Sequence, residues 1–385
     1  MGSSNLIFDN RPEPLSQGVL KAMQIGMSTE LDWSNGHLSH DPLPNLLQEF
    51  EVNLKALLNM PANFRVLLTS SVFESINSAI KGVAWSIEGE RDEIAIVRGD
   101  QGGFAEAAAW CVRLGFKIVY LPLTSDGEAD LDKWSRLISK KTAIVGISSV
   151  TPEVHTKRKI YEIVSLCRAN SAISVIDMTE QCSAEIVNLG TITPDIVCID
   201  GTAIGGPTGV AILAISPHFR FAPMISGDLF QDALRSGRIN LSLMLGFSSA
   251  LDEYADSLSK KKHIKRDLYR ITVRKINRNM NSARIISSRM SLFTGLLILV
   301  PEVEGEALVL ALESKKIYVT TGSSCSGSAG KPSQTLTEMG FSDKEVSGAI
   351  HMAFRADHSE DDILHAIRII DKTVQQLWQI SGYSG

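Results

Sequence analysis

The sequence predicts an α/β protein: a doubly wound, mostly parallel sheet followed by a smaller α+β domain at the carboxyl end. Three observations predict it. Between residue 64 and about 215, short runs rich in β-branched residues alternate with helical stretches. Those runs are continuously apolar rather than alternating, as expected of strands buried on both faces between helices. After Leu234 helices outnumber strands and the rhythm changes, which marks a second unit.

The elements follow in order. FRVLLTS opens the sheet, and a helix from Glu74 to Trp85 follows. IAIVRG, a helix near 103 to 114, KIVYLPL and TAIVGISSV continue the series, then a helix near 158 to 169 and the strands ISVIDM, IVCID and VAILAIS. The second unit reads as a long helical region from roughly 240 to 290, LFTGLLILVP, a helix near 304 to 315, IYVTTG, and two terminal helices at 342 to 350 and 359 to 380. The expected division is an amino-terminal segment 1–15, a large domain 16–250 and a small domain 251–385, with no internal repeat.

Composition narrows the function classes only slightly. A formal charge of -5 gives no global reason to expect nucleic acid or an anionic membrane as partner. No stretch reaches the roughly eighteen uncharged apolar residues of a membrane span, and MGSSNLIFDN lacks the shape of a signal peptide. The five cysteines form no CxxC pair; no metal site is expected, and a reducing cytoplasm suits buried thiols. One local charge feature stands apart. Between Lys260 and Arg284 there are ten Lys or Arg residues against the single acid Asp267, interleaved with Ile264, Leu268, Ile271 and Ile276 on one helical face. A solvated helix accounts for it, as does a docking surface for an acidic partner or nucleic acid. Tyr269 is its only aromatic, too little for base stacking.

Specific motifs lie at strand ends. Residues 199 to 211 read IDGTAIGGPTGVA, and this segment resembles the Ser-Gly-His-Lys-x-x-Gly-Pro-x-Gly signature of cysteine desulfurases, members of the class V aminotransferases that use pyridoxal phosphate (PLP). LIFDN, LLTSSVFESINSAIKG, VIDMTEQ, LRSGRINLSLMLGFSSAL and TTGSSCSGSAGKPSQTLTEMG are similar to further segments of that family, in order along most of the chain. The resemblance implies the PLP fold type I large domain, a homodimer with sites at the subunit interface, and sulfur transfer to an acceptor through a persulfide on Cys325. It also implies Asp177 as the carboxylate that faces the pyridine nitrogen.

Other positions depart from the family pattern. Ala203 stands where the Schiff-base lysine belongs, beside Thr202. Around the cofactor phosphate, Phe73 replaces a threonine, Asp200 a serine, and Arg238 the threonine supplied by the partner subunit. A phosphate finds hydroxyls and a helix amino terminus in such a cup, so a carboxylate there is repulsive. An Asp200–Arg238 salt bridge across the dimer would substitute for the phosphate. Gln101 aligns with the ring-stacking histidine, Pro152 with an asparagine near the cofactor hydroxyl, Glu180 with its companion glutamine, and His351 with the arginine that grips the substrate carboxylate. Arg355, four residues on, is the substitute for that arginine. Two functional readings follow. In the first, the chain lacks autonomous PLP chemistry and acts as a scaffold, regulator or sulfur relay. In the second, it is an active desulfurase or C–S lyase in which alanine was introduced for a lysine at position 203.

Overall fold

The computed structural model describes residues 5–29, 43–87, 91–100, 102–280, 282–321 and 333–382. In the large domain seven strands form one sheet: β1 (Arg65–Thr69), β2 (Glu93–Ile96), β3 (Lys117–Tyr120), β4 (Thr142–Ser148), β5 (Ile173–Asp177), β6 (Ile196–Asp200) and β7 (Ala211–Ile215). Their spatial order is β1-β7-β6-β5-β4-β2-β3, and β7 runs antiparallel to both neighbours while the other pairs are parallel. Every residue of β4, β5 and β7 is buried. The apolar runs are continuous because helices cover both faces, so the expected architecture is confirmed in order and type.

Two amino-terminal helices, Gln17–Ser28 and Leu43–Leu57, had no counterpart in the sequence reading. Ser16 caps the first by accepting from Val19 N at 3.1 Å. That helix lies against the long helix Leu241–Asn279 at a close approach: a Cβ on Gly26 would stand 2.5 Å from Ser242 Cα. Only glycine permits this contact without displacement of one helix.

The small domain carries two corrections. The long helix stops at Asn279 rather than near 290, and Arg284–Ile286 is a strand instead. The helix expected at 342 to 350 is only Asp343–Ser347, begun by a Ser342/Glu345 capping box, and Ala349–Ala353 is a central strand. The cap starts a helix, but pairing on both sides, with Gly295–Leu299 and Thr320–Thr321, takes the following residues into the sheet. IYVTTG likewise divides. Ile317–Tyr318 pairs with Leu6–Ile7, and Thr320–Thr321 joins the four-stranded sheet. The amino-terminal segment is therefore built into the small domain, with Phe8 fully buried there. The long helix is continuous through residue 250. Its buried residues up to Leu258 join the large-domain core, and those from Leu268 join the small-domain core.

Among the described residues no helix is long and apolar enough to cross a membrane. Cys111, Cys167, Cys182 and Cys198 are buried, as the sequence suggested, and burial pushes the Cys111 thiol up to about 11 and Cys167 to about 12. Such thiols are poor nucleophiles.

Candidate active site

A cavity of about 1400 Å³ opens between the two domains at the carboxyl ends of the parallel strands, lined by Ser148, Asp177, Thr202, Ala203, His351 and Arg355 among others. This is where an open α/β sheet places ligands, because diverging loops leave a crevice there.

At its floor Asp177 ends β5 and is buried, with Oδ1 accepting from Thr179 N at 2.9 Å. Burial pushes its carboxyl up to about 6, aided by Asp100 and Asp200 and opposed by the Thr179 hydrogen bonds. Ala203 lies half-buried on the turn Gly201–Ile204 and ends at a methyl group. The residue with the clearest new role is Asp200. Its Oδ1 accepts from Thr202 N at 3.1 Å and from Thr202 Oγ1 at 2.7 Å, and its Oδ2 lies 3.5 Å from Val72 N. Val72 begins the helix Val72–Ser86, so a carboxylate of the chain itself stands at the amide end of that helix. Beside it Phe73 is 49% exposed and lines the cavity. Arg238 is exposed on its loop, and the Asp200 carboxylate is engaged within its own chain.

The opposite wall comes from both domains. Thr320 Oγ1 approaches His351 Nδ1 at 3.4 Å, and His351 Nε2 lies 2.6 Å from His155 Nε2. His155 Nδ1 in turn contacts the Glu180 carboxylate closely, with Thr294 Oγ1 at 3.0 Å. A carboxylate accepts only, so His155 donates from Nδ1 to Glu180, and one hydrogen is shared between the two Nε2 atoms. Burial, then the neighbouring His155, holds the His351 pKa well below its ordinary value. The wall is thus neutral at His351, with its ring nitrogens already partnered, and it lacks the fork that grips a carboxylate. Arg355 also lines the cavity. Its Nε and Nη2 bond Asp357 at 3.0 and 2.7 Å. Pro152 lines the cavity nearby. Gln101 and Cys325 lie outside the described residues.

Sequence reasoning missed His155, Glu153 and the Asp100–Arg158 pair. His155 and Glu153 sit in the loop after β4 with φ of 53° and 67°. The one signal was a lone histidine following an apolar strand end. Gly295 makes room for it: a Cβ there would stand 2.5 Å from His155 Nε2. Glu153 accepts from Ser333 Oγ at 2.7 Å, and burial pushes its carboxyl up to about 8 despite that bond. An unfolded chain ionises this group near the ordinary glutamate value of 4.5 whereas the folded chain retains the proton up to about 8, so Glu153 lowers stability progressively across that window. Glu153→Gln keeps an acceptor for Ser333 and removes the titration. Urea melts should therefore show its stability relative to wild type rising between pH 5 and pH 8; a constant difference would contradict the assignment.

The aminotransferase class-V model matches residues 16–365. The chain belongs to the class-V aminotransferase family. Among curated relatives it is 25% identical over 374 residues to a cysteine desulfurase IscS of Rickettsia bellii, covering 96% of this chain and 90% of that one. It is 27% identical over 319 residues to a probable mitochondrial cysteine desulfurase of Dictyostelium discoideum, covering 82% and 70%. Among solved structures, a NifS-like protein superposes with a TM-score of 0.87 at 22% identity, covering 97% of this chain and 100% of that one. A NifS-like protein from Rickettsia africae gives 0.83 at 21%, covering 98% and 100%. These confirm PLP fold type I, and PLP is the cofactor expected of this family.

The residues of this cavity fit that cofactor poorly. Asp177 offers a buried carboxyl at the cavity floor, but residue 203 offers no amine and the amide end of the Val72 helix already faces the Asp200 carboxylate. At an effective dielectric of about 20, a dianionic phosphate about 4 Å from a carboxylate is disfavoured by several kcal/mol.

Proposed function

We propose that this class-V aminotransferase homologue has left autonomous PLP chemistry and serves sulfur transfer as a dimeric scaffold or regulator of a desulfurase system. The Asp200 carboxylate carries this reading, because it takes both the Thr202 hydroxyl and the helix end that a cofactor phosphate needs. Ala203 supports it by removing covalent attachment and the base that moves the substrate proton. The neutral His351 adds that an amino-acid carboxylate meets no cationic fork at that position, and Arg355 is bonded to Asp357. The assignment to sulfur transfer rests on the relatives named above, and dimerisation on the family architecture. Retention of PLP by the purified chain is the test. Absence of retention supports the reading, and tight stoichiometric retention restores that of an enzyme lacking only its lysine.

A further inference from the structure

The long helix carries an exposed row of cations that the cavity does not use. Lys262, Arg266, Arg270, Arg274 and Arg278 recur at every fourth position, and all five are exposed. Neighbours at this spacing stand about 5–6 Å apart, so the row is an i±4 ridge about 24 Å long, inclined to the helix axis. Arg270 reaches Asp267 at only 3.9 Å, and Arg266 lies over the Phe293 ring at 5.9 Å. Among the described residues Lys262, Arg266, Arg274 and Arg278 make no ion pair. No acid occurs in the helix after Asp267. The inward side of the same helix is anchored by Leu268, Thr272 and Ile276, so the row is held on a rigid element.

Lys261 and Lys265 behave differently. Both bond the Glu13 carboxylate, at 3.0 and 2.9 Å, and although burial opposes its charge they hold that carboxyl down at about 2. Two cations at the cavity are satisfied by Glu13, whereas the adjoining row has only the long Arg270–Asp267 contact. Lys260, Lys261, Ile264 and Lys265 line the cavity, so the row begins on the turns of the helix that border it.

We propose that the Lys262–Arg278 row is a docking surface for an acidic helix of a partner protein, which it seats beside the cavity entrance. A helix crossing this ridge with Glu or Asp at every fourth position meets the cations at the same repeat. Duplex nucleic acid fits less well, since Asp252, Glu253 and Asp256 occupy the preceding turns of the same helix and the row's only aromatic neighbour, Tyr269, is buried. Complementary charge of this kind acts chiefly on encounter and register.

The probe is a fluorescent helical peptide with glutamate at every fourth position, titrated with the full chain at low and physiological salt. Wild type should bind with affinity that falls as salt rises. Arg266→Glu/Arg270→Glu/Arg274→Glu should bind at least about tenfold more weakly, with an unchanged melting temperature. Lys21→Glu/Arg136→Glu/Lys372→Glu, three exposed sites off the row, should bind as wild type does. Equal loss in both variants, or no binding by wild type, overturns the docking surface. Tighter binding of a DNA duplex of matched charge overturns the choice of partner.

Discussion

Asp100→Ala is expected to destabilise the chain by about 3–5 kcal/mol, among the largest effects of any single substitution. Asp100 and Arg158 form an ion pair whose side chains are both 0% exposed. Two parallel bonds of 2.6 Å join them, Arg158 also donates to Ser148 O at 2.8 Å and Thr151 Oγ1 at 3.0 Å, and Asp100 accepts from Ser148 N at 2.8 Å. Removing the carboxylate leaves a guanidinium without a counter-charge in a water-poor interior, at the strand end that positions the cavity wall. The energy at stake is mainly that of stranding a charge, since a buried pair exchanged whole for apolar residues is often neutral. Asp92→Ala, which breaks the exposed Lys117–Asp92 contact of 2.7 Å, should change stability by under about 1 kcal/mol. Urea denaturation of both variants makes the comparison. Equal small effects would mean that the buried pair does not support β4.

The second large effect concerns the cofactor position. Ala203→Lys alone restores an amine yet keeps the Asp200 carboxylate beside Thr202 and the Val72 helix end. The double variant Ala203→Lys/Asp200→Ser removes that charge and adds a hydroxyl. Since roughly 1.4 kcal/mol is tenfold in affinity and the repulsion amounts to several kcal/mol, the double variant should bind PLP at least about tenfold more tightly than Ala203→Lys. Equal affinities, measured by equilibrium dialysis, would show that Asp200 is not what excludes the phosphate.

Much of this was legible in the sequence, and the reasons are physical. Strands buried on both faces leave unbroken apolar runs, so the seven-stranded sheet could be read directly. Asp177, Asp200 and Ala203 could be singled out because the short motifs around them, at or just beyond strand ends, resemble those of the cysteine desulfurases. The His155–His351 contact joins residues 196 apart and two domains, and the Asp100–Arg158 pair joins residues 58 apart. Neither has a local signature; tertiary packing alone creates them. Ala349–Ala353 was misread for a related reason, because the pairing that takes it into the sheet is with residues distant in the chain. The bonding of Asp200 to Thr202 was likewise not read from the sequence, although the two residues are only two positions apart.

Equilibrium dialysis of the unaltered chain against PLP tests the central claim most directly, with absorbance of the retained fraction as readout and a class-V homologue that retains its lysine as positive control. The chain should retain no more PLP than a protein of equal lysine content that has no cofactor site. Stoichiometric retention at micromolar or lower PLP would contradict the account, since it would mean that a phosphate enters the cup despite Asp200.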